Sequence, residues 1–188
     1  MDSRNTNSGL TLTGRIERKT HDVATLEDSV ESWGTLSDKG KLEAARSVEP
    51  ADSDVVYNVT TELLHQYFVD NLDPDNNSTE ANVSVGWLAL GTDSASGTDV
   101  TDTDLNSRTF EKPVTDVADN GAELLASTFI DSTEGNGNDF VELGLFTDDP
   151  ANAGDPEVFL MNHATFSTVT KDNTKTVTFD VTLQFSDV

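Results

Sequence analysis

Histidines and carboxylates are the candidates for acid–base or metal chemistry in this sequence. It contains no cysteine. His21, His65 and His163 lack HxxxH and HxH spacing, so we expect structural or surface roles for them. No GxSxG elbow, Walker loop or GxGxxG motif precedes a predicted helix. The lack of cysteine also excludes disulfides, Cys-ligated zinc and thiol catalysis. The sequence therefore predicts a protein that is not an enzyme.

Three aspartates in a Gly-rich loop have the close spacing that a calcium site uses. Asp99, Asp102 and Asp104 lie in the loop predicted over 91–106, and Ca²⁺ and Mg²⁺ prefer oxygen ligands such as carboxylates. The EF-hand spacing and its terminal Glu are missing, so a solvated acidic loop is the alternative. We predict no cofactor other than a structural Ca²⁺, Mg²⁺ or salt cation at these aspartates.

Glu142 stands out among the carboxylates because it interrupts the apolar residues Val141, Leu143 and Leu145. Two carboxylates roughly 5 to 9.5 Å apart can hydrolyse a glycosidic bond. A chain with 35 acidic residues will meet that distance somewhere by chance, so the pairing has little specificity. We expect Glu142 to point outward to solvent from its strand.

The acidic residues restrict the partners and indicate the solvent. The chain has 35 Asp+Glu against 11 Lys+Arg, a formal charge of −24 at pH 7. Such a surface repels nucleic acids and anionic membranes, so we predict neither as a partner. The acids are dispersed, Asp outnumbers Glu by 23 to 12, and there are only 6 Lys. This bias indicates a protein adapted to concentrated salt, where the Debye length is about 3 Å or less.

The charge is uneven along the chain. Residues 1–46 contain 7 basic and 8 acidic residues, a net charge of −1, whereas residues 47–188 contain 4 and 27, a net charge of −23. A near-neutral segment can meet a partner without the repulsion that isolates the rest of the surface. The alternative is a chance cluster of basic residues, which are Arg15, Arg18, Lys19, Lys39, Lys41 and Arg46.

The N-terminal residues predict a strand followed by a helix. Residues 10–17 alternate apolar and polar side chains, which predicts a half-buried strand. Residues 23–33 have helical spacing, with Thr20 or Asp22 as a cap, although a second strand paired with the first also fits.

Two further helices are predicted before residue 80. Asp38 is placed to cap a short helix across 42–48, and 50–54 forms a linker. Asn58 is placed to cap an amphipathic helix over 59–72, the best helical pattern in the chain.

The rest of the chain predicts short strands separated by turn signals. Pro113 places its strand at an edge or a bulge, and Asn120-Gly121 is a hairpin dipeptide. This pattern predicts a mainly β fold, an antiparallel sandwich or barrel. We expect an antiparallel β-sandwich (jelly-roll-like or Ig-like) over 81–188, preceded by a strand and helix assembly segment over 1–80. The predicted strands are 83–90, 110–117, 124–130, 140–146, 158–166 and 176–185.

Short motifs within 83–186 carry a resemblance. They are Trp87-Leu-Ala-Leu-Gly-Thr92, Asp102-Thr-Asp-Leu105, Glu111-Lys-Pro-Val114, Glu142-Leu-Gly-Leu-Phe146 and the alternating segment 176–185. With these motifs the chain resembles small virion structural proteins, tail-appendage or fibre-associated, of tailed viruses and prophages. Ser107-Arg108 and His163 depart from the pattern of that group. With the acidic composition, the resemblance implies a tailed virus of a halophilic archaeon.

The resemblance implies a non-enzymatic protein of the virion, made in the host cytoplasm and placed in the tail, the baseplate or a capsid-surface appendage. Its expected partners are further copies in a symmetric homo-oligomer, other virion proteins and the host cell surface. Loops 91–106 and 147–155 are the expected binding tips. The expected packing residues are Trp87, Leu143, Leu145, Phe146, Phe166, Phe179 and Phe185.

Two other functions compete with this one. A module that binds or depolymerises host-surface glycans would present aromatic side chains, and the chain has only two Trp and two Tyr. A secreted halophile domain is less expected, because the N-terminal residues lack the apolar core of a signal peptide.

Overall fold

The computed structural model describes residues 10–62, 64–65, 84–119, 121, 123–152 and 158–187. They form nine strands, two α-helices and two 3₁₀ turns, Trp33–Thr35 and Pro150–Asn152. The helices are α1, Val23–Ser29, and α2, Asp38–Ala45. The strands are β1 Leu10–Asp22, β2 Asp52–Thr60, β3 Trp87–Gly91, β4 Arg108–Pro113, β5 Asp116–Asp119, β6 Glu123–Ile130, β7 Asn138–Phe146, β8 Leu160–Lys171 and β9 Lys175–Asp187.

Two antiparallel sheets pack face to face, which confirms the predicted β-sandwich. Hydrogen bonding follows the order β4-β3-β7-β8-β2-β1-β9-β6-β5. We call β2-β1-β9-β6-β5 sheet A and β4-β3-β7-β8 sheet B. Strand β2 belongs to both, because residues 52–58 pair with β1 and residues 59–60 pair with β8.

The chain also crosses between the sheets on the opposite side of the sandwich. Only residues 114–115 separate β4, at the end of sheet B, from β5, at the end of sheet A. Val114 N–H donates to Gly86 O at 2.9 Å, and Thr115 N–H donates to Ser127 O at 2.8 Å. Pro113, which has no N–H to donate, lies where the strand leaves sheet B. Strands that switch sheets thus join both sides of the sandwich.

The core lies between the sheets and follows from the alternation of β9. Val177, Phe179, Val181 and Leu183 are all buried on the inner face of sheet A. The Phe179 ring packs 5.5 Å from the Phe166 ring. The expected packing residues Leu143, Leu145, Phe146, Phe166 and Phe179 are buried, and Trp87 packs against a smaller cluster with Phe146. The side chain of Phe185 lies outside the described residues.

Strand β1 continues to Asp22, five residues beyond its predicted end. Its inner face carries Arg18 and Thr20, both buried, instead of apolar residues. Arg18 Nη2 lies 2.8 Å from Asp52 Oδ2, and Arg18 Nη1 donates to Thr20 Oγ1 at 2.9 Å. These contacts give the buried guanidinium two polar partners. Because these inner-face residues are polar, the alternation of apolar and polar side chains that predicts the strand stops at residue 17.

Both predicted helices near the N-terminus are present. Helix α1 begins after Asp22. Helix α2 is capped by Ser37 and not by Asp38 as predicted, because Ser37 Oγ accepts from Gly40 N–H at 3.3 Å. We call residues 23–48 the helical segment. Its apolar residues pack on Phe129 from the outer face of sheet A, and they are Leu26, Trp33, Leu42 and Ala45.

The predicted linker at 50–54 and the predicted helix start at Asn58 are wrong. Strand β2 occupies Asp52–Thr60, and a helical turn begins only after Thr61, whose Oγ1 accepts from Leu64 N–H at 3.4 Å. The β-branched and aromatic residues at 55–57 and 59–61 favour a strand, and pairing with β1 stabilises it. Residues 66–72 of the predicted helix lie outside the described residues.

The boundary at residues 80/81 and the assembly role of residues 1–80 stay predictions. Strands from both sides of that boundary share sheet A, since β1 pairs with β9 along its whole length, from Leu10 opposite Asp187 to Asp22 opposite Lys175.

Candidate functional site

A chain of three polar side chains lies on the outer face of sheet B. His163 of β8 and Glu142 of β7 are fully buried, with His163 Nε2 3.0 Å from Glu142 Oε2. His163 Nδ1 lies 2.7 Å from Asp102 Oδ2 in the loop between β3 and β4. The expectation that Glu142 faces solvent is therefore wrong. Its strand does turn it away from the core, but the 102–107 segment covers it.

The carboxylate of Glu142 also binds the backbone of that segment. Asn106 N–H donates to Oε2 at 2.9 Å, and Ser107 N–H donates to Oε1 at 2.7 Å. A Cβ at Gly91 would lie 2.2 Å from Glu142 Oε1 and 2.5 Å from Ser107 O. Only glycine at position 91 therefore leaves room for this buried carboxylate and its backbone donors.

Both ring nitrogens of His163 are occupied by side-chain contacts. Nδ1 lies beside Asp102 Oδ2, and Nε2 lies beside Glu142 Oε2. The ring itself is fully buried, so these two contacts fill its polar surroundings. This arrangement is suited to holding the 102–107 segment on sheet B.

The three aspartates predicted to bind a cation have separate protein partners. Asp99 accepts the backbone N–H and the hydroxyl of Thr101, and these hydrogen bonds lower the pKa of Asp99. Asp102 contacts His163, and Asp104 lies 3.2 Å from Arg108 Nε. Among the described residues, no group of three or more His, Asp or Glu side chains is placed to hold a metal ion. The cation site stays a prediction.

The six basic residues of the near-neutral segment that the structure describes form ion pairs within the chain. Lys39 binds Asp116 at 2.7 Å, and Arg46 binds Asp180 at 2.7 Å. The remaining pairs are Arg15–Glu17, Arg18–Asp52, Lys19–Glu17 and Lys41–Asp131. Four of these six pairs reach acids outside residues 1–46, so basic side chains of this segment lie against acids of the sandwich.

One of these pairs links the helical segment to the turn before β7. Burial would raise the pKa of Asp131, but hydrogen bonds from Lys41 and Ser132 and from Thr133 N–H hold that pKa below its usual value. Lys112 contacts Asp38 at 2.7 Å and Glu134 at 2.5 Å, which adds a second tie at the same place.

An open cleft occupies the part of the outer face of sheet A that the helical segment leaves uncovered. Its volume is about 420 Å³. Tyr57 of β2, at its edge, is 80% exposed although it lies within a strand. The cleft is lined by Thr13, Gly14, Arg15, Tyr57, Glu123, Thr182 and Gln184.

No protein-family model, characterised protein or solved structure gives a significant match to this chain. The resemblance to virion structural proteins therefore stays a prediction. Within the described part of the chain, no helix is long and apolar enough to cross a membrane.

Sequence reasoning missed two features of these sites. Tyr57 lies on β2. The placement of Ser53, Val55 and Tyr57 on one face is the sequence pattern that could have predicted this strand. Glu142 and His163 each drew notice alone, but their contact depends on the pairing of β7 with β8, for which the sequence carries no separate signal.

Proposed function

We propose that this protein is a non-enzymatic structural protein of a tailed virus of a halophilic archaeon. It is made in the host cytoplasm and occupies the tail, the baseplate or a capsid-surface appendage. The observation that supports a structural role best is that the buried His163 and Glu142 contact Asp102 and the backbone of residues 106–107, which joins that loop to sheet B. The motifs within 83–186 support the assignment to a virion. The acidic composition supports a halophilic host.

The same proposal has the protein assemble with further copies of itself as a symmetric homo-oligomer and contact other virion proteins. A chain with a charge of −24 associates most easily through a surface where charges are already balanced. Residues 1–46 are the candidate for such a surface, because their net charge is −1 against −23 for residues 47–188.

Proteomics of purified virions tests the location, with immunogold labelling to place the protein on the particle. We expect the chain in intact particles at a fixed stoichiometry, and its absence from them would contradict the proposal. Light scattering in molar KCl tests assembly. Three copies favour a fibre or spike, five a capsid vertex and six a tail or baseplate ring, whereas a monomer at all concentrations contradicts homo-oligomerisation.

A second candidate function is recognition of host-surface glycans. The observation that favours it is the exposed ring of Tyr57 beside a cleft lined by hydroxyl, amide, carboxylate and guanidinium groups. A glycan array in molar KCl tests it, and binding to none of the glycans would contradict it.

A further inference from the structure

We propose that the cleft on the outer face of sheet A is a binding site for a neutral oligosaccharide. This inference rests on the second candidate function, and it is independent of the assignment to a virion.

Strand register places the lining side chains in two rows on one face. Arg15 of β1 lies opposite Tyr57 of β2 and opposite Thr182 of β9. Thr13 lies opposite Gln184, which in turn lies opposite Glu123 of β6. Directly opposed residues of antiparallel strands share a face, so these six side chains surround one trough. Its volume of about 420 Å³ lies within the usual range of small-ligand sites.

The helical segment covers only the other half of this face. Its contacts with β6 and β9 include Phe129, Ser127 and Asp180, further along the same strands. Arg46 donates to Ser127 Oγ and to Asp180 Oδ1 at 2.7 Å each. The trough is thus built on paired strands whose backbone is held in register, and a ligand meets a preformed surface.

The lining chemistry matches a pyranose ring. Tyr57 presents a flat apolar ring, to which the C–H face of a sugar can pack, and a hydroxyl that can hydrogen-bond. Arg15, Glu123 and Gln184 carry planar groups, each able to bind two neighbouring sugar hydroxyls. The threonine hydroxyls can donate or accept, as hydroxyl-rich ligands require.

Charge favours a neutral sugar over an acidic one. The described lining holds one basic and one acidic residue, Arg15 and Glu123, and Arg15 is already paired with Glu17 at 3.2 Å. The rest of the molecule carries the −24 charge and repels anionic polymers. In concentrated salt, ionic contacts are screened, whereas ring packing and hydrogen bonds persist.

Two variants of the same strand face test the proposal. Tyr57→Ala removes the ring, and Val55→Ala is the matched control, since Val55 lies two residues away on the same face and is also exposed. Both positions are exposed, so we expect both variants to fold, which circular dichroism checks. The probes are neutral gluco-, manno- and galacto-oligosaccharides and a uronic-acid oligosaccharide, measured by titration calorimetry in molar KCl.

We expect a neutral oligosaccharide to bind the parent chain and Val55→Ala equally, and Tyr57→Ala about tenfold or more weakly. Tyr57→Phe should keep most of the affinity, because it keeps the ring. Three results would overturn the proposal: no neutral probe binds, the uronic-acid probe binds more tightly, or Tyr57→Ala binds as well as Val55→Ala. A change of oligomeric state in Tyr57→Ala would instead identify this face as a contact between copies. None of these results bears on the proteomics of virions, so failure here is distinguishable from failure of the virion assignment.

Discussion

His163 and Glu142, both fully buried, and the partly buried Asp102 form a chain of contacts on the outer face of sheet B. Glu142 accepts from two backbone N–H groups and lies 3.0 Å from His163 Nε2, and Asp102 connects the other ring nitrogen to the loop. Removal of one partner from such a buried polar contact leaves the other group unsatisfied, which costs free energy.

The first prediction at the residue scale concerns His163. We expect His163→Ala to lower the free energy of unfolding by about 2–5 kcal/mol, because it removes a fully buried ring and leaves the buried Glu142 without that side-chain partner. His65→Ala is the control, since His65 is exposed and its ring nitrogen lies 2.8 Å from Thr60 Oγ1, and we expect a loss of about 1 kcal/mol or less. Urea unfolding in molar KCl measures both. Equal losses in the two variants would contradict the role given to His163.

The second prediction concerns Gly91. We expect Gly91→Ala to cost about 1–3 kcal/mol, because the added methyl group would overlap the backbone oxygen of Ser107 and the carboxylate of Glu142. Gly34→Ala is the control, because nothing lies within 4 Å of the added Cβ there. The same urea experiment compares them, and a stable Gly91→Ala chain would show that the loop does not sit tightly on sheet B.

At the scale of elements, the structure shows how the loop and the basic segment are held. The second half of the loop at 91–106 contacts His163 and Glu142, and residues 92–96 are exposed, so the role of this loop as a binding tip stays a prediction. The helical segment is held on sheet A by the contact of Trp33 with Phe129, whose ring centroids are 5.8 Å apart. Its ion pairs reach β5, β9 and the turn after β6.

The tie between Lys41 and Asp131 predicts a dependence on pH. The pKa of Asp131 is lower in the folded chain than its ordinary value of 3.8. A lowered carboxyl pKa contributes stability that is complete above the ordinary pKa and is lost as the pH falls through the folded value. We therefore expect the helical segment to loosen below about pH 4.

Hydrogen exchange measures this loosening as the pH is lowered. Lys41→Met should remove most of the pH dependence in α2, because the lowered pKa depends on the Lys41 hydrogen bond. Lys175→Met is the matched control, since Lys175 pairs with Asp172, at 3.8 Å, and not with Asp131. An unchanged acid response of α2 in Lys41→Met would argue against the tie.

At the scale of the whole molecule, net charge outweighs the ion pairs. Exposed pairs contribute only about 0–1 kcal/mol each and weaken in salt. The chain has 35 acidic and only 11 basic residues, so its carboxylates repel one another unless salt screens their charges. Salt should therefore stabilise this fold although it weakens individual pairs.

Thermal melts in a series of KCl concentrations test that balance. We expect the melting temperature to rise from dilute buffer to molar KCl, and the native fold to be lost on dialysis into low salt. Sucrose of matched osmolality is the control for general solute exclusion, and it should stabilise the fold much less. A cooperative melt at the same temperature in dilute buffer would refute adaptation to concentrated salt.

The sequence by itself determined the strands whose signal is local. In β9 the apolar and polar side chains alternate without interruption, so the pattern predicts both the strand and its buried face. Asn120-Gly121 likewise predicted the β5–β6 hairpin, because a tight turn depends on its own residues.

Only the tertiary structure decided the features that depend on distant residues. Strand β2 forms because β1 and β8 supply its hydrogen bonds, so local signals placed a linker and a helix there. Glu142 and His163 meet because β7 and β8 pair, and Asp102 joins them from another loop. Burial and pairing are properties of these distant contacts. A count of charges along the chain therefore reveals the repulsion but not which charges are neutralised.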